Sequence, residues 1–352
     1  MATELQSCGR GDIRFIDCPV SGGAIRAANG TLSIMAGGTD EALQTGRDLL
    51  QAMSAPDKLY LVPGGIGAGS NMKMVHQVLA GIHILGASEA MGLAAQLGLD
   101  ARKTAAAILE SDAWTWMHEN RLTRMLEEDW NPGASALTII LKDVVCYPPC
   151  LPSTIEKRGK ETDIHSQGII TTSARQAHFP TPLCSTAEQV YLSALLQGYG
   201  AKDDSSMVRQ YFATPITGVA GTEGNDQSAK LQLVLDLMRG VNLVAAAEAV
   251  AFARHLSVDL GQFHGLVREA AGASRVFITQ GLEMIEGRIG DKAPAGSQTV
   301  EEAVARLETV VQRARDLHCP LHLGNAALTA LLTARRAGLG GEASTSVIKA
   351  WH

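Results

Sequence analysis

The sequence predicts a mainly α protein: a small α/β piece at the N-terminal end, followed by two all-helical domains. Three observations predict it. Strand-like apolar runs are confined to the first 62 residues. After Gly69 the apolar residues recur with helical period. A segment beginning at Gly81 then reappears 159 residues on, beginning at Gly240.

The elements follow in order. "IRFIDCPV" (13–20) is a short apolar run that stops at a Gly pair and reads as a buried strand. "TLSIMA" (31–36) and "KLYLV" (58–62) are two further strands, the last closed by Pro63-Gly64-Gly65. Between them "DEALQTGRDLLQAM" (40–53) has helical period, with Asp40 as its candidate cap. Three strands and one helix leave open sheet edges, so this piece makes a poor free-standing domain. From there the pattern is helical: one long helix over 71–98, then helices at 101–110, 114–128, 134–145, 168–178 and 182–197.

The repeat organises the rest. "GIHILGASEAMGLAAQLGLD" and "GVNLVAAAEAVAFARHLSVD" align Glu89 with Glu248 and Asp100 with Asp259. Nearer the ends, "HFPTPLCSTA" matches "HCPLHLGNAA" and "GYGAKDDSSMVRQY" matches "GLGGEASTSVIKAW", now 140 residues apart. The division is therefore 1–63, 64–211 and 212–352. The first helical copy carries extra residues, and "CYPPCLPSTIEKRGKETDIHSQ" (146–167) supplies them. Its first seven residues include three prolines, a charged run follows, and no helical period is present. It reads as a surface loop or as translated intron.

Composition narrows the functional classes. The chain has 352 residues, 46% hydrophobic, with a formal net charge of -6 and no basic block, which argues against a nucleic-acid partner. The polar start "MATELQSCGRGD" has no apolar targeting core, and no run reads as a membrane span, so no membrane partner and a cytoplasmic location are expected. Six cysteines in this length fit reduced thiols better than a disulfide framework. His318, Cys319 and His322 lie close together without a complementary ligand pair, so no metal site is read there. "GGIGAGSNM" imitates a dinucleotide fingerprint, but its spacing does not complete G-x-G-x-x-G.

Three motifs together resemble the β-hydroxyacid dehydrogenases, relatives of 6-phosphogluconate dehydrogenase. They are "DCPVSGGAIRAANGTLSIMAGG", "GAGSNMKMVHQ", and "LKD" continued beyond the 146–167 segment by "GIITTSARQAHFPTPL". "KMVHQ" resembles the L-threonate dehydrogenase branch, a pointer to a polyhydroxylated acid. The resemblance implies that residues 1–63 are the last part of a Rossmann NAD(P)-binding domain. It also implies that roughly a hundred residues of nucleotide-binding fold are missing, so the chain as given is expected to be impaired.

The same resemblance assigns roles. Ser21, Gly22 and Gly23 would hold the substrate carboxylate; taken alone, they are an ordinary strand-ending turn whose glycines present backbone N–H groups. Lys73 would be the acid/base, as burial can bring a lysine toward neutrality. His76 and Gln77, three and four residues on, share its helix face as substrate-binding groups. Lys142 would approach the nucleotide, NAD or NADP. In the second copy Lys73, His76 and Gln77 become Gln232, Leu235 and Asp236, while Asp203 and Asp204 become Ala343 and Ser344. That copy reads as structural, docking on the first as an intramolecular pseudo-dimer, with further homo-oligomerisation open. The expected function is hydride transfer between NAD(P) and a small 3-hydroxy acid. A cofactor-free lyase or decarboxylase acting on a β-keto acid, and a non-catalytic scaffold, are the alternatives.

Overall fold

The computed structural model describes residues 7–132, 135–144, 169–219, 221, 226–288, 293 and 296–351. The 146–167 segment lies outside the described residues. The chain forms two compact units: residues 1–76 with 251–270, and residues 77–250 with 271–352.

The first unit is built on a β-α-β crossover. β3 (Leu32–Gly38) and β4 (Ser54–Leu61) pair in parallel, connected by α2 (Asp40–Met53). The helix is amphipathic, and Leu43 and Leu50 close over Ile34 and Ala36 of β3. Each buried leucine contributes about 1.5–3 kcal/mol relative to an exposed one. The helix cap is Thr39, not Asp40: the Thr39 hydroxyl accepts from the Ala42 N–H, and Asp40 is the first helical residue. That is the usual division of labour, with a hydroxyl at the cap and a carboxylate in the positive first turn.

Residues 13–20 do not form the buried strand expected. They form two short strands, β1 (Ile16–Asp17) and β2 (Val20–Ser21), both antiparallel to β3 and joined by a Met35 N–H bond to the Pro19 carbonyl. Pro19 has no N–H to give, so the ladder is interrupted there. The broken strand flanks β3 on the side away from β4, and Val20 is 47% exposed. After Gly22 (φ +142) the chain turns into α1 (Gly23–Ala28), where the sequence had suggested only a turn.

Two long helices dominate the helical part: α3 (Ala68–Gln96) and α9 (Gln227–His255), each of 29 residues. They start and end 159 residues apart, at the repeat spacing. α3 is long and apolar enough to cross a bilayer, contrary to the sequence expectation of no such run, but its apolar window is wholly buried in protein. An apolar surface on every side is what a central core helix requires. Asp100 and Asp259, equivalent in the repeat, cap α4 (Ala101–Glu110) and α10 (Leu260–Val267) alike. α5 (Trp116–Glu127), α6 (Leu137–Val144), α7 (Ile169–Gln176) and α8 (Pro182–Leu196) complete the first copy; α11 (Leu282–Ile285), α12 (Val300–Asp316) and α13 (His322–Ala334) belong to the second.

Within the second unit the copies meet through repeat-equivalent residues. Thr115 pairs with Ser274 in an antiparallel bridge, flanked by bonds from Trp116 N–H to the Ala273 carbonyl and from Arg275 N–H to the Trp114 carbonyl. Residues facing their own counterparts are the mark of a local two-fold. The Glu89 carboxylate of α3 accepts from the N–H groups of Leu323 and Gly324 at the start of α13, at 3.0 and 2.8 Å. The Glu248 carboxylate of α9 does the same for Leu183 and Cys184 at the start of α8, at 2.8 and 2.9 Å. Each long helix thus caps a helix of the other copy, where carboxyl oxygens accept from N–H groups that the helix itself leaves unpaired.

Candidate functional site

The site begins with how α3 is anchored. Gly69, in its first turn, is buried against the sheet: a Cβ there would lie 2.2 Å from the Met35 carbonyl oxygen and 2.8 Å from that of Asp17. Gly37 of β3 is equally confined, with a Cβ position 2.8 Å from the Gly69 nitrogen. The two glycines let helix and strand backbones touch. The Asp17 carboxylate then accepts from the Ser70 N–H and from the Ser70 hydroxyl, both at 2.7 Å. The strand that leads to Ser21 and the helix that carries Lys73 are therefore tied four residues before Ser21 and three before Lys73.

Along α3, Lys73 and Gln77 are half-buried, and every residue from Val78 to Ala95 is buried. Lys73 and Gln77 are the last points at which the helix reaches solvent before its core run. They lie four apart, on one face. His76, expected to share that face, is fully buried. Ser21 is half-buried at the end of β2, and Gly22 is exposed beside it. A Cβ at Gly22 would stand 2.8 Å from the Arg26 Cβ, so a side chain is disfavoured by contact as well as by φ. Lys142 falls in α6, and its side chain lies outside the described residues.

A cleft of about 470 Å³ opens where the parallel strands end. Gly38 from β3, Leu61 from β4, Gln44 and Arg47 from α2, and the Pro63-Gly64-Gly65 turn line it. Ligands of open α/β sheets bind outside the carboxyl ends of the strands. Gly64, Gly65 and Gly67 all have positive φ, and nothing stands within 4 Å of the Cβ positions of Gly65 and Gly67. The bare backbone and the cation of Arg47 fit part of a nicotinamide nucleotide. The sequence reading did not single out Arg47 or Gln44; the signal was available, because both follow the strand end Gly38 on the first turns of the crossover helix.

Two buried features of the helical part escaped the sequence reading as well. Arg121 of α5 makes a bidentate pair with Asp204, at 2.5 and 3.0 Å, with both side chains almost wholly buried. The partners are 83 residues apart in the chain, and no local pattern links them. His83 and His118 are fully buried, and burial lowers them to about 3 and about 4, so both rings are neutral.

This arrangement of a crossover sheet edge followed by helical repeats is that of the 6-phosphogluconate dehydrogenase-like proteins. The structure superposes on Plasmodium falciparum 6-phosphogluconate dehydrogenase with a TM-score of 0.51 at 15% identity, over 94% of this chain and 69% of that one, a likeness of fold. The chain belongs to the family described as NAD-binding of NADP-dependent 3-hydroxyisobutyrate dehydrogenase, whose model matches residues 67–147 and 224–351. The description for residues 2–67 is the NAD binding domain of 6-phosphogluconate dehydrogenase. L-threonate dehydrogenase of Escherichia coli is 34% identical over 207 residues, 59% of this chain and 60% of that protein. L-threonate dehydrogenase of Cupriavidus necator is 34% identical over 206 residues, 58% and 61% of the two chains. The chain spans about 60% of the length of these curated relatives.

Proposed function

We propose that this chain carries the substrate side of an NAD(P)-dependent dehydrogenase acting on a small polyhydroxylated 3-hydroxy acid in the cytoplasm. The observation that carries the reading is the position of Lys73. It is half-buried, one turn or so into a helix whose start is pinned to the sheet, and with Gln77 it sits where that helix last reaches solvent before its buried run. The similarity to L-threonate dehydrogenases over 207 residues supports the substrate class.

When bound, the nicotinamide supplies the hydride acceptor or donor. The Lys73 Nζ takes the proton from the substrate hydroxyl in oxidation and returns it in reduction. The Ser21 hydroxyl and the backbone N–H groups at Gly22 and Gly23 hold the substrate carboxylate. Gln77, one turn beyond Lys73, orients the hydroxyls, and the buried His76 fixes the packing of that turn. The cleft at the ends of β3 and β4 would hold part of the nucleotide through Arg47 and the bare glycine backbone, and Lys142 is carried as a nucleotide-binding residue by the family resemblance.

The same reading divides the chain at 63 and 211, with the second helical copy taking the place of a partner subunit in an intramolecular pseudo-dimer. The reciprocal Glu89 and Glu248 caps and the Thr115–Ser274 bridge support that arrangement.

Steady-state kinetics with L-threonate and either nucleotide tests the proposal. Lys73→Ala should lower kcat by about 10²–10⁴-fold with little change in KM. A variant that folds normally and keeps the parental kcat would overturn the assignment.

A further inference from the structure

The second helical copy lost the residues equivalent to the proposed catalytic ones, yet it did not lose polarity. Gln232, Asp236 and Arg239 of α9 occupy the positions of Lys73, Gln77 and Ala80 in α3. These three side chains line a cavity of about 690 Å³, within the range of small-molecule sites. Gln280, which replaces the buried Arg121 of the first copy, lines it too, as do Gln298 and Arg306.

The polar groups divide into those already engaged and those left over. Arg239 is held by Asp112, with Nε to Oδ1 at 2.7 Å, and by Asp236, with Nη1 to Oδ1 at 3.0 Å. The Gln232 amide also donates to the Asp236 Oδ1, at 2.8 Å. These form the fixed wall. Arg306 is 53% exposed and its nearest carboxylate, Asp236, is 3.9 Å away, so its fork of donors is largely unspent. Among the described residues, neither the Gln280 nor the Gln298 side chain makes a hydrogen bond. One unspent guanidinium and two unspent amides match one anionic group and several hydroxyls.

We propose that this cavity is a second ligand site, specific for a small polyhydroxylated acid, distinct from the Lys73 site and built from residues of the second copy with Asp112 from the first. Arg306 binds the anionic group, and Gln280 and Gln298 bind hydroxyls. The anionic group is a carboxylate or a phosphate.

Calorimetric titration of the full chain with gluconate, glucose 6-phosphate and sorbitol, each to roughly 10 mM, tests it. Expected is binding of at least one acid, weakened about tenfold or more by Arg306→Gln and by Gln280→Leu and unchanged by Lys73→Ala. Tighter gluconate identifies a carboxylate site; tighter glucose 6-phosphate identifies a phosphate site. Sorbitol bound as well as the acids would overturn the role of Arg306. No binding of any probe would overturn the site, and so would binding lost in Lys73→Ala but kept in Arg306→Gln. Circular dichroism of each variant separates loss of binding from loss of fold. The site does not depend on Lys73 being catalytic, so either assignment can fail alone.

Discussion

At the scale of single residues, the sheet-to-helix contact rests on atoms that are absent. Gly69 is the second residue of α3, and the sequence alone marks it only as part of a glycine-rich turn. The fold makes it a contact point, because Met35 and Asp17 carbonyls occupy the space of a side chain. Gly69→Ala must push α3 away from β3, and overpacking of this kind costs about 1–3 kcal/mol. Urea unfolding should show that loss, and a midpoint unchanged from the parent would mean that the helix start can move without cost. The Asp17–Ser70 tie was equally hidden: Asp17 reads as one residue within a strand-like run, and its partner is 53 residues on. The motif around Lys73, by contrast, is local and continuous, so the proposed acid/base can be read from neighbouring residues alone.

At the scale of elements, periodicity located the helices well. The long helix was expected over 71–98 and runs Ala68–Gln96; α4 has the bounds expected. Helical period is written in neighbouring residues, so it survives without tertiary information. Edge and interior strands were not distinguished, because an apolar run is compatible with either until its neighbours are known. The helix starts carry a further expectation. Replacing Asp17 by Asn keeps the shape but removes the charge that faces the first turn of α3, which is worth about 0.3–1 kcal/mol there. Amide hydrogen exchange in residues 70–73 should quicken in that variant; exchange at the parental rate would sink the claim that the carboxylate secures this turn.

At the scale of the whole molecule, the repeat is the organising fact, and its two glutamates give it a pH dependence. Burial pushes Glu89 up to about 7 and Glu248 up to about 8, from an ordinary value of 4.5, while the backbone N–H bonds pull the other way. Each carboxyl therefore holds its proton more tightly folded than unfolded. The contribution to stability is complete below about pH 4.5 and is lost as pH rises through 7 for Glu89 and 8 for Glu248. Tm should fall across that window, and the double variant Glu89→Gln, Glu248→Gln should flatten the fall. A Tm that rises with pH over the same range, and that the double variant flattens, would show that the helix N-termini hold the anions.

The sequence by itself determined the α/β start, the helices, the duplication and the family motifs, because each is carried by residues close together or by one segment compared with another. Only the tertiary structure decided how distant residues meet: Arg121 with Asp204, Glu89 with the start of α13, Glu248 with the start of α8. It also decided that the second copy, with Asp112 of the first, lines a polar cavity. The physical reason is the same in each case. A hydrogen bond or cavity wall depends on atoms a few ångströms apart in space, and residues tens or hundreds of positions apart along the chain carry no local pattern that announces the meeting.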